Sequence, residues 1–168
     1  MKSDMQISPY VYVKRSLGGF LAGFLATLIF HQIALWVLWE MRIAPFAPYN
    51  MTATQPWGIP AVISLALWGG AWGVLFAFVQ GQFSRSSYWV SAFFFGGIFP
   101  SLVALLIVLP LKGLPVGGGW HWQLLLTAFL INGVWGVGTG LLLRGLFHIP
   151  MSTEHHRHAP QCSPGTTC

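Results

Sequence analysis

The sequence predicts an all-α, polytopic membrane protein: four transmembrane helices in one compact bundle, packed through glycine and alanine faces. Three observations carry this. Charged residues are 7% and hydrophobic residues 55% of the 168-residue chain, against about 25% charged in a soluble domain, so there is too little polar surface to coat a globule in water. The apolar residues fall into four runs, each long enough at 1.5 Å per residue to cross roughly 30 Å of hydrocarbon. Within those runs small residues recur four apart, which puts them on one helix face and lets a second helix approach closely.

The amino terminus, MKSDMQISPYVYVKR, is polar. The apolar run after it is too long for a cleaved signal and lacks a small-residue cleavage site, so it reads as span one, about 17–39. Lys14 and Arg15 introduce it, and Glu40 and Arg42 close it. Gly19 and Gly23 supply its packing face. The stretch that follows holds Pro45, Pro48, Pro56 and Pro60, each fixing φ and removing a backbone donor, with Phe46, Tyr49 and Trp57 between them as amphipathic anchors. That composition predicts a shaped outer loop.

Span two, about 59–80, carries no ionisable side chain from Ile59 to Val79. Pro60 falls in its first turn, where a missing donor costs nothing, and Gly69 and Gly73 share one face. After the polar connection GQFSRSS, span three covers about 88–111. Tyr88 and Trp89 are its interfacial anchors, Gly97 and Ser101 its small packing positions, and Pro100 is expected to kink it and turn a freed carbonyl inward. The next loop, GLPVGGGWHW, reads as a flexible glycine turn, because it lacks the Lys and Ser/Thr of a nucleotide loop. Span four, about 123–144, carries Asn132, Gly136 and Gly140 and ends at Arg144. Residues 1–147 thus read as one transmembrane domain. Residues 148–168, rich in Pro, Ser and Thr, read as a disordered tail.

Orientation follows from the cations. With four spans, Lys2, Lys14, Arg15, Arg85, Arg144 and Arg157 share one side, and Arg42 and Lys112 the other. The excess predicts both termini in the cytoplasm. Because the cations sit at span ends and in tails rather than on a folded polar face, the net charge of +5 does not imply a nucleic-acid partner. A faint internal echo, GAWGV at 70–74 and GVWGV at 133–137, suggests two related hairpins in parallel.

Chemistry is sparse. His31 and Gln32 lie inside span one, where an imidazole needs a partner. Either His31 fastens helices by bonding Asn132, Ser101 or a carbonyl near Pro100, or it ligates a tetrapyrrole or metal, or it passes a proton. Asn132 reads as helix glue, and Glu40 as paired with Arg42 or Lys112, or solvated. Trp68, Trp72 and Trp135 lie deeper than the other tryptophans, Trp68 and Trp72 on one helix face, and they either pack in the core or line a pigment, quinone or lipid groove. The densest ligand set is in the tail: His155, His156, His158, Cys162 and Cys168. Imidazole and thiolate suit zinc, copper or nickel, yet the spacing matches no closed structural zinc pattern. There is no nucleophile, base and orienter set and no acidic pair.

The run PFAPYNM, followed by TQPWGIPAVISLALWGGAWG, resembles a group of small bacterial four-helix inner-membrane proteins with no characterised activity. The similarity covers Leu17 to Arg144 and leaves the tail outside. It implies the fold and the membrane, and no reaction. The expected function is therefore a non-enzymatic membrane component that contacts other membrane proteins, or itself, through small-residue faces and the outer loop. The alternatives are a small-solute or ion transporter or channel using His31 and Asn132, and a cofactor- or metal-binding subunit with His31 as ligand.

Overall fold

The computed structural model describes residues 9–148. Four helices in it are long and apolar enough to cross a membrane: α1 Pro9–Glu40, α2 Ala61–Gln82, α3 Tyr88–Leu111 and α4 Trp122–Gly145. They pair as two antiparallel hairpins, α1 with α2 and α3 with α4, and α1 of one lies against α4 of the other.

Helix α1 begins two turns before the apolar run does. Pro9 opens it with a preset φ and no donor to satisfy, and Tyr12 stacks on Phe78 of α2 with ring centroids 6.3 Å apart. Packing against α2 thus extends the helix past Lys14 and Arg15. Further along, residues Thr27–His31 form a π turn. Its local cause is competition for one oxygen: the Gly23 carbonyl accepts the Thr27 hydroxyl at 2.9 Å and the Trp135 indole N–H at 3.0 Å. A side chain bonded back to residue i−4 competes with the helical ladder at that point.

The two hairpins repeat one set of contacts. A β-carbon added to Gly23 would meet the Gly69 carbonyl, and one on Gly96 would meet the Asn132 carbonyl. One on Gly73 would lie against the Gly19 carbonyl and 2.8 Å from the Gly23 Cα. One on Gly136 would lie against the Ala92 carbonyl and 3.1 Å from the Gly96 Cα. Gly70 and Gly133 complete the match: a β-carbon added to either would lie 2.6 Å from the edge of a phenylalanine ring, Phe20 and Phe93 respectively. All of these pairs are related by one constant displacement along α1 and α3 and another along α2 and α4. The echo around Trp72 and Trp135 is the sequence trace of this repeat.

The repeat is broken between the hairpins. Ala22, fully buried in a cluster with Ala77, Ala92 and Leu143, has Phe95 as its counterpart in α3. The Phe95 ring stands against Trp72, Phe76 and Phe83, with centroids 5.4–6.5 Å apart. Small side chains therefore let α1 close on α4, and aromatic rings hold α3 off α2.

Helix α3 continues through Pro100, which is buried, and becomes a π turn at Ala104–Val108. There the Leu109 N–H reaches the Ala104 carbonyl. Pro110 follows at once, and its ring and missing donor disrupt the preceding α-turn. The glycine loop is ordered: Gly117, Gly118, Gly119 and Trp120 all have positive φ and form one left-handed turn. Three successive residues without β-carbons make this affordable sterically, and the Trp120 ring lies over Gly117.

Candidate functional site

The outer loop folds back on α1. After Glu40 the chain reverses at Arg42, φ 61°, and the amides of Ile43 and Ala44 donate to the Leu38 carbonyl at 2.9 and 3.1 Å. Ala44 is buried with Leu35, Leu38 and Ile131. The proline-braced segment Pro45, Phe46 and Pro48 then delivers Tyr49, itself at φ 50°. The Tyr49 amide donates to Gln32 Oε1 at 2.7 Å, and its hydroxyl donates to the Leu28 carbonyl at 3.1 Å. From Glu40 back to Leu28 is about 18 Å of helix. The loop is laid along α1, not suspended above it.

Its return limb caps α2. A short antiparallel pair, β1 Ala53–Thr54 with β2 Ile59–Pro60, turns the chain through residues 55–58, and the Thr54 hydroxyl donates to the Ile59 carbonyl at 2.8 Å. The first amides of α2, at Ala61 and Val62, donate to the carbonyls of Thr52 and Asn50, both at 2.9 Å. Donors that a helix start leaves without partners are thereby satisfied by the loop itself.

Beneath the loop lie His31 and Gln32, 5% and 2% exposed. Neighbouring residues on an α-helix point about 100° apart; the wider π winding brings both inward. Gln32 Oε1 is occupied by the Tyr49 amide, so its Nε2 faces His31 Nδ1 at 3.3 Å and donates to it. An accepting Nδ1 makes His31 a neutral imidazole with its proton on Nε2. The position is the rim of the bundle. With Gly23 opposite Gly69, eight residues further brings His31 level with Ala61, where α2 begins.

His31 does not reach Asn132, Ser101 or Pro100. Asn132 Nδ2 donates to Ser101 Oγ at 2.9 Å, and Ser101 Oγ donates to the Ala128 carbonyl at 2.9 Å. This pair fastens α3 to α4, and His31 has its own helical neighbour as partner.

The packing glycines Gly19, Gly23, Gly69, Gly73, Gly97, Gly136 and Gly140 all face the chain's own helices. Gly69 would strike Thr27 Oγ1 if it carried a β-carbon, Gly97 lies under the Phe129 ring, and Gly140 under the Tyr88 hydroxyl. These faces, expected to serve partners, are consumed within the protein. Tyr88, expected as an interfacial anchor, is 1% exposed and donates to Gln80 Oε1 at 2.8 Å. The Arg144 guanidinium lies 4.7 Å from its ring centroid and 5.5 Å from that of Trp89. Trp68 faces outward, Trp72 packs edge-on to Phe95, and Trp135 is at the core. Glu40 is exposed.

Trp135 is thus one of the deep tryptophans that does pack in the core, while sequence reasoning missed Thr27 and Gln80. Thr27 four residues after Gly23 was the available signal for the first of these. Among the described residues no group of three His, Cys, Asp or Glu could hold a metal. His155, His156, His158, Cys162 and Cys168 lie outside the described residues.

Fold and contacts define a multi-pass α-helical membrane protein made of two packed hairpins. No known protein family, curated protein or solved structure matches the chain.

Proposed function

We propose that the chain is a non-enzymatic accessory protein of the bacterial inner membrane, with both termini cytoplasmic, that uses its outer loop to hold another membrane protein. The observation that carries this is a contrast within the loop. Its backbone is fastened to α1 and α2 at several points, while Phe46, Met51 and Trp57 stay exposed, Trp57 at 82%. Large apolar side chains on a preorganised backbone lose little entropy when a partner covers them. The small-residue faces, being occupied, are not available for that contact.

A photo-crosslinking residue at Trp57 in living cells is expected to give a discrete adduct of higher mass. The same residue at lipid-facing Trp68 gives none. In the same cells a cysteine at Trp57 reacts with a membrane-impermeant maleimide, and Cys162 and Cys168 do not. Lipid adducts alone at Trp57 overturn the partner, and the reverse labelling pattern inverts the topology.

A second reading is transport of a proton or small solute, favoured by the π turn that directs both His31 and Gln32 into the bundle at its outer rim. Flux across liposomes containing the purified protein would fall at least tenfold in His31→Ala. No flux above empty liposomes sinks it.

A further inference from the structure

We infer that a groove on the amino-terminal half of α1 binds an anionic phospholipid from the leaflet on that side. Tyr10, Lys14, Leu17 and Leu21 line it along one face of the helix, and Phe147, just beyond α4, borders it; the open groove has a volume of about 270 Å³. The order of these residues along the membrane normal matches an amphiphile. Tyr10 and Lys14 lie at the interfacial end with a hydroxyl donor and an ammonium. Leu17 and Leu21 continue about 10 Å toward the hydrocarbon, as an acyl chain would.

Charge complementarity selects the headgroup. Lys14 is the single charge in an otherwise apolar lining. The only carboxylate in residues 9–148 is Glu40, roughly 39 Å away along the same helix. Arg144, on the same side, is already stacked over Tyr88 and Trp89. Lys14 is thus a cation whose counter-charge has to come from outside this part of the chain, and the leaflet offers phosphates at that depth. A zwitterionic headgroup brings a cation of its own that finds no carboxylate among the described residues here. An anionic one does not carry that cost.

The test uses the full chain in nanodiscs holding equal phosphatidylglycerol and phosphatidylcholine, with the retained lipid read by native mass spectrometry. Wild type is expected to retain phosphatidylglycerol preferentially. Lys14→Gln lowers that retention about fivefold, the weight of one basic residue at an anionic surface, and Lys14→Arg restores it. Val13→Glu, which sets a carboxylate beside Lys14 at an exposed site of the groove, removes the preference while the thermal transition holds. Equal retention of the two lipids overturns the proposal, as does a preference unchanged by Lys14→Gln. So does a rise of fivefold or more in Asp4→Asn or Glu154→Gln, since Lys14 would then be neutralised by the chain itself.

Discussion

Gly73→Val is expected to pry α1 from α2. The new β-carbon falls against the Gly19 carbonyl and 2.8 Å from the Gly23 Cα. Both are backbone atoms, so no change of rotamer relieves the clash and the helices have to separate. Overpacking of this kind costs about 3 kcal/mol, and separation also loosens the contact of Gly23 with Gly69. The structural repeat sharpens the expectation. Gly136→Val meets the Ala92 carbonyl and the Gly96 Cα in the other hairpin and should destabilise to a similar degree. Gly145→Ala, with nothing near its added methyl, should leave stability unchanged. Thermal unfolding of the purified chain in mild detergent reads all three. A Gly73→Val protein that melts with wild type would show that the hairpin is not packed this way.

Gln32→Leu is expected to release the outer loop. One side chain holds two groups there: its oxygen accepts the Tyr49 amide and its nitrogen donates to His31. Leucine keeps the bulk and satisfies neither. A polar group left without a partner costs about 1–3 kcal/mol, which the Tyr49 amide avoids by leaving α1 for water. Hydrogen exchange at Tyr49 should therefore quicken about thirtyfold, the equivalent of about 2 kcal/mol. Tyr49→Phe removes only the bond to the Leu28 carbonyl and should cost about 1 kcal/mol. Unchanged exchange at Tyr49 in Gln32→Leu would mean that the amide bond does not hold the loop. The partner proposed for Phe46, Met51 and Trp57 depends on that fastening, so Gln32→Leu also weakens the crosslink at Trp57.

Much of the fold was legible because a membrane acts on each segment by itself. Every apolar run had to be helical and about 30 Å long whatever its neighbours did. Small residues four apart had to share a face. The boundaries that slipped are those set by contact: α1 reaches back to Pro9 because Tyr12 finds Phe78. Of the candidate site, His31, Gln32 and Tyr49 were visible as an imidazole, an amide and a loop aromatic, but their connection was not. It depends on a π turn at Thr27–His31, and that turn depends on how many donors reach the Gly23 carbonyl.

By itself the sequence determined that this chain is membrane-embedded, how many times it crosses, and that its helices present small-residue faces, because these follow from the composition and period of single segments. Tertiary structure decided which faces meet, that they meet inside the protein and not across to a partner, and that Gln32 turns inward beside His31. The physical reason is separation along the chain. Trp135, which donates to Gly23, stands 112 positions away, and no local period in α1 records that it will arrive.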